Sequence, residues 1–136
     1  MKVVFALLAD YINVTREGKL NILGVFDTLY ANAFPTQHPL MQLVIRLEAS
    51  IVEVGNPINV EVRLIDPDGK RLFSLNGDIV PPAGRAGEPI HMNHVMVFNN
   101  VAFERAGNHA FSILVNREER WSVPISIIPR PQQPPS

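Results

Sequence analysis

"LNILGVFDTLYANAFPTQHP" (residues 20–39) sets Asn21, Gly24 and Asp27 inside an apolar run and then leads into Pro35 and Pro39. It reads either as a catalytic loop carried on a hydrophobic strand or as a strand with a kink. Alternate residues of a strand share a face, which puts Leu20, Ile22 and Phe26 on one side and Leu23, Val25 and Leu29 on the other. The pattern predicts a strand covered on both sides for much of its length, with Gly24 at a bulge or a close backbone approach. The kinked strand is the preferred reading. Asn21 and Asp27 share a parity and keep two roles open: they serve a site, or they bond nearby backbone where the strand bends.

The same alternation runs through the chain. In "LMQLVIRLEA", Met41, Leu43, Ile45, Leu47 and Ala49 share one face and Gln42, Arg46 and Glu48 the other, and "INVEVRLID" repeats the arrangement with Ile58, Val60, Val62 and Leu64 opposite Asn59, Glu61 and Arg63. "DPDGK" (66–70) predicts a tight hairpin, because Pro67 presets its φ and Gly69 accepts the left-handed conformation. Similar punctuation at 15–19, 104–108 and 116–120 predicts strands over 2–13, 20–30, 40–49, 58–66, 71–80, 90–103, 108–116 and 121–128. No segment sustains helical periodicity. About eight strands in 136 residues must stack as two sheets or close into a barrel, since one open sheet leaves an apolar face in water. The expected fold is all-β, a two-sheet antiparallel Greek-key β-sandwich, immunoglobulin-like or jelly-roll. One domain is expected over 1–128, followed by a proline-rich disordered tail over 129–136 with four prolines in eight residues. Pro124, in "WSVPISII", belongs at a sheet margin or a bulge.

Composition narrows the chemistry. Lys+Arg 12 against Asp+Glu 13 leaves no electrostatic footprint for nucleic acid or an anionic membrane surface. Zero cysteines exclude a disulfide framework, a thiolate zinc site and a Cys nucleophile. The opening "MKVVFALLAD" imitates a signal peptide, but its apolar run is seven residues and ends at Asp10, so it reads as the first strand of a soluble, cytoplasmic protein.

The candidate groups do not assemble into a reaction. His91 and His94 are three apart, hence on opposite faces of a strand, where they cannot chelate one metal. His94 shares its phase with Ile90, Met92, Met96 and Phe98 and reads as a packed or edge histidine. His109 follows a turn glycine at the position of a tyrosine corner and is expected to bridge to backbone, while His38 reads as a solvated loop residue. Asp66 and Asp68 are turn formers, and Glu48 and Glu61 are wet-face residues. Gly18-Lys19 opens a strand, so it is not a phosphate loop, and no G-x-S-x-G is present.

"ADYINVTREGKLNILGVFDTLYA" (9–31), "LIDPDGK" and the closing "FERAGNHAFSILVNREERWSVPI" together resemble a family of small bacterial proteins known only as a domain of unknown function. The resemblance covers nearly the whole chain apart from the tail, and its first string is the specific part. It implies a stand-alone cytoplasmic β-sandwich with no assigned activity, cofactor or catalytic residue. His109 departs from it, standing where such proteins usually carry Tyr.

The expectation for function is therefore a non-enzymatic β-sandwich that acts through contact with a protein partner or by self-association, with no nucleic acid, no membrane, no metal and no cofactor. The alternative is a small-ligand or carbohydrate-binding sandwich, in which the crossing segments 32–39 and 81–89, with Trp121 or Tyr11, supply the binding surface.

Overall fold

A computed structural model describes residues 1–131. Nine strands form: β1 (Lys2–Val14), β2 (Leu20–Val25), β3 (Thr28–Ala31), β4 (Thr36–Ala49), β5 (Ile58–Ile65), β6 (Arg71–Ile79), β7 (Ile90–Phe103), β8 (Gly107–Val115) and β9 (Glu118–Pro129). They make two sheets, ordered β2-β1-β4-β7 and β3-β9-β8-β5-β6. The sheets stack as a β-sandwich over one core, built from alternate residues such as Leu8, Leu43, Ile45 and Leu47 of the first sheet and Val62, Leu64, Phe111, Ile113 and Ile125 of the second. Every strand pair is antiparallel except β3 with β9, which is parallel.

Residues 20–39 decide this arrangement in a way that alternation does not reveal. The expected strand over 20–30 is two strands in different sheets. The switch falls between neighbouring residues: Phe26 N donates to Leu8 O at 3.1 Å in the first sheet, whereas Asp27 O accepts from Ser126 N at 2.8 Å in the second. Gly24, at φ +71, precedes the switch and leaves room for Asp10, whose carboxylate would lie 2.5 Å from a Cβ at that position. The strand is not covered on both sides, since Leu23 and Val25 are 62% and 57% exposed.

The β1–β2 hairpin also bends over the outward face of its own sheet. Ile12, Leu20 and Ile22 pack there on Ala9, Val44 and Val95, and Ile12 N, which has left the β4 ladder, donates to Gln42 Oε1 at 2.8 Å. That contact buries Gln42, a residue the alternation assigns to the wet face. The expected crossing at 32–39 is shorter than read, because β4 starts at Thr36 and carries Pro39 within it. The ladder skips Pro39, pairing His38 with Val101 and Leu40 with Asn99, while Asn100 opposite takes φ 53.

Strand β9 extends to Pro129, and Arg130 N donates to Ala31 O at 2.8 Å, so the expected boundary at 128 moves outward by two residues. Residues 132–136, most of the expected tail, lie outside the described residues. Within the sheet β9 has β8 on one side from Glu118 to Ile127 but β3 on the other only from Ser126 onward. Ser126 N points to the β3 side, and position 124, two residues earlier, points the same way into the stretch where no strand lies. The proline therefore removes no ladder bond. Pro124→Val is expected to change the unfolding free energy by less than about 1 kcal/mol, as read by urea denaturation. A larger loss would mean that the ring's fixed φ shapes the strand.

Candidate functional site: a cleft at one end of the sandwich

Three strand ends meet side by side at one end of the first sheet. Register sets Lys2 of β1 opposite Glu48 of β4, Glu48 opposite His91 of β7, and Ala49 opposite Ile90. A single 3-10 turn (Ile51–Glu53) and the crossing segment 81–89 rise around them and enclose an open cleft of about 550 Å³. The crossing segment is anchored by Gly55 N donating to Pro81 O at 3.0 Å, and it lies flat on Ile90 at Gly84, where a Cβ would stand 2.7 Å from Ile90 Cγ1. Apart from charged groups, the lining is small or apolar: Ala49, Ile51, Gly84, Gly87, Pro89 and Ile90.

The cleft holds charges of both signs in different states of satisfaction. Glu48 Oε1 lies 3.1 Å from His91 Nε2. Glu53 pairs with the Met1 amino group and accepts from Ser50 N at 2.9 Å and Ser50 Oγ at 3.1 Å. The amino group, followed by the Ser50 bonds, holds the Glu53 carboxyl below the usual carboxylate range against the opposing effect of burial. Lys2, Arg85 and Glu88 line the same cleft, and among the described residues none of the three has an ion-pair partner.

The other candidate residues are scattered. His91 faces outward beside Glu48, and His94 faces the core from the opposite side of β7. Among the described residues no group of three or more His, Asp or Glu is placed to hold a metal ion. His109 is buried, donates from Nδ1 to Gly107 O at 3.1 Å and meets the Phe103 ring edge-on, as a corner residue does. His38 is not in a solvated loop but in β4, half-buried with its ring 5.9 Å from that of Phe26. Asp66 closes its hairpin by accepting from Asp68 N and Lys70 N at 2.9 and 2.8 Å, and Arg105 pairs with both aspartates. Glu61 is not on a wet face: it is 8% exposed beneath Arg63, which chelates it, and it accepts from Ser74 Oγ at 2.7 Å. Arg63, then Ser74, holds the Glu61 carboxyl below the usual range. Asn21 and Asp27 do not meet. Asn21 donates to Asn13 Oδ1 at 2.9 Å in the hairpin, and Asp27 Oδ1 accepts from Thr28 Oγ1 at 3.0 Å at the sheet switch.

Tyr11 is half-exposed on the hairpin, and Trp121 lines a separate groove of about 290 Å³ between β1 and β9 with Leu7, Asp27 and Pro124. Neither aromatic residue reaches the end cleft. Of the cleft's charged residues, alternation identifies only Glu48 as outward-facing; Lys2 and Arg85 carry no local signal and are joined to it solely by the packing of three distant segments.

Among the described residues, fold and site define a nine-stranded β-sandwich with an open, charge-lined cleft at one end. Residues 4–128 match the model of DUF6941, a family of unknown function, and the chain belongs to that family. No curated protein matches. Among solved structures, the alkylpurine DNA glycosylase AlkC of Pseudomonas fluorescens, bound to DNA containing an abasic site analog, is similar with a TM-score of 0.42 at 15% identity. The match covers 74% of this chain but spans only 27% of that enzyme. The expectation of a protein partner or self-association, with nucleic acid excluded, is corrected here: this similar solved structure holds DNA. That likeness is too low to carry an argument for nucleic-acid binding by this chain. Among the described residues no helix is long and apolar enough to cross a membrane.

Proposed function

We propose that the protein is a non-enzymatic binding module that takes a small anionic ligand in the end cleft. The carrying observation is that Lys2 and Arg85 line one cleft of about 550 Å³ and, among the described residues, have no carboxylate partner, while Glu48 and Glu53 are engaged by His91, Ser50 and the amino terminus and Glu88 is the one lining carboxylate left unpaired. A cleft of that size falls within the range of about 300–1,000 Å³ common for small-ligand sites, and a guanidinium presents a fork of donors matched to a carboxylate or phosphate. The absence of aromatic residues from the lining favours a small charged ligand over a carbohydrate, which would stack on a ring. The non-enzymatic part is supported by Asp66, Glu61 and Glu48, whose carboxylates are tied up in a turn and in polar pairs rather than poised as an acid and a base. A bacterial, cytoplasmic setting belongs to the same reading.

The test is protein-observed NMR against a library of small carboxylates, phosphates, sugars and neutral compounds. At least one anionic member is expected to shift the amides of Glu48, Arg85 and Ile90, and the double variant Lys2→Ala, Arg85→Ala is expected to weaken its binding at least about tenfold, the equivalent of one lost charge-assisted contact. Shifts confined to another surface, or binding unchanged in the double variant, would overturn the proposal.

A further inference from the structure

Strands β6 and β7 are the outermost strands of their respective sheets, and no backbone ladder joins them across the flank they share. Side chains alone close this side of the sandwich. At one point Phe73 of β6 meets Phe98 of β7, with ring centroids 5.7 Å apart. Further along, Gly77 of β6 stands opposite Val60 of β5 and contributes no side chain, which leaves a cavity of about 190 Å³. Into that cavity face His94 and Met96 from β7.

We propose that His94 makes this flank an acid-sensitive seam: a protonated ring is an unpaired cation on the core face of β7, and β6 parts from β7 before the rest of the sandwich unfolds. The groups around the ring offer the cation little. On β4 the register partner is Ile45, on β5 the cavity wall is Val60, on β7 itself the same-face neighbours are Met92 and Met96, and on β6 they are Leu75, Gly77 and Ile79. The one ionisable group at the cavity is Asp78, which is exposed, alternates outward from Gly77 and Ile79, and accepts from Asn59 Nδ2 at 3.4 Å. Burial accordingly holds the His94 imidazole below the usual histidine range. The sign follows from linkage. The unfolded chain binds the proton near the ordinary histidine value of about 6.5, so the seam is fully stable above that pH and loses stability as pH falls towards the lower folded value. The carboxylates Glu53 and Glu61, held below their own usual range, lose their contribution only at still lower pH, and the His94 variants separate this ring from the other histidines.

Amide hydrogen exchange of the full chain at pH 7.5 and 5.2, corrected for intrinsic rates, reads this directly. Protection in β6 (Arg71–Ile79) is expected to fall several-fold at the lower pH while β1 and β4 keep theirs, and His94→Leu is expected to abolish the difference. His94→Gln, which also cannot charge, serves if the leucine variant fails to fold. His91→Gln, altered on the outward face of the same strand, is expected to respond to acid as the wild type does. An acid loss that survives both His94 variants, or one spread evenly over both sheets, would overturn the inference.

Discussion

Phe111→Ala is expected to lower the unfolding free energy by about 3–5 kcal/mol, the range for removing a fully buried phenylalanine, and to leave the domain barely folded at room temperature. Phe111 is wholly inaccessible, and its ring stacks on Phe98 of the opposite sheet with centroids 5.3 Å apart while meeting Phe73 edge-on at 6.3 Å. It therefore joins β8 to both strands of the open flank, where no backbone ladder substitutes for the lost contact. Guanidinium denaturation followed by tryptophan fluorescence measures the change, with Trp121 as the sole reporter. A cost under about 2 kcal/mol would show that the flank collapses inward and fills the space, since the cost of such a truncation depends on how completely the site relaxes.

Gly107→Val is expected to cost about 2–3 kcal/mol, for two reasons that act together. Its φ of +131 lies where L residues are strained, and a Cβ there would stand 2.7 Å from Pro67 Cγ and 3.3 Å from Pro67 Cβ, atoms of a rigid ring that cannot swing aside. Position 107 begins β8 and its carbonyl holds the buried His109, so the strain falls on the corner that joins the "DPDGK" hairpin to the core. Gly69→Ala separates the two reasons. Gly69 has φ +85 but nothing within 4 Å, so only the backbone term of about 1 kcal/mol applies. Equal losses at the two positions, measured by urea denaturation, would remove the steric part of the argument.

How far the sequence carries the structure is clearest where a pattern is satisfied locally. The β5–β6 hairpin is legible in its core face and its turn: alternation assigns Val60, Val62 and Leu64 to the core, and Asp66 shapes the turn with its own side chain. The corner role of His109 and the opposite faces of His91 and His94 are legible for the same reason, since a period of two is a property of one strand. Glu61 is misread because its burial depends on Arg63 beside it and Ser74 across the ladder, and His38 because a proline next to it reads as a strand break, whereas the β4–β7 ladder resumes beyond Pro39 in the same register. The end cleft is nearly invisible beforehand. Its charged lining comes from residue 2, residues 48–53 and residues 85–88, and no local pattern records that these ends converge.

By itself the sequence determined the all-β class, the positions of most strands, the turns between them and the inward face of each, because alternation, turn chemistry and side-chain volume act over a few neighbouring residues. Only the tertiary structure decided that residues 20–31 belong to two sheets. Phe26 and Asp27 are adjacent, yet one bonds to Leu8 and the other to Ser126, and the choice of backbone partner is made by chain segments that alternation cannot see. The same non-local packing leaves β6 and β7 unjoined, aligns Lys2 with Glu48, and so creates both the seam and the cleft.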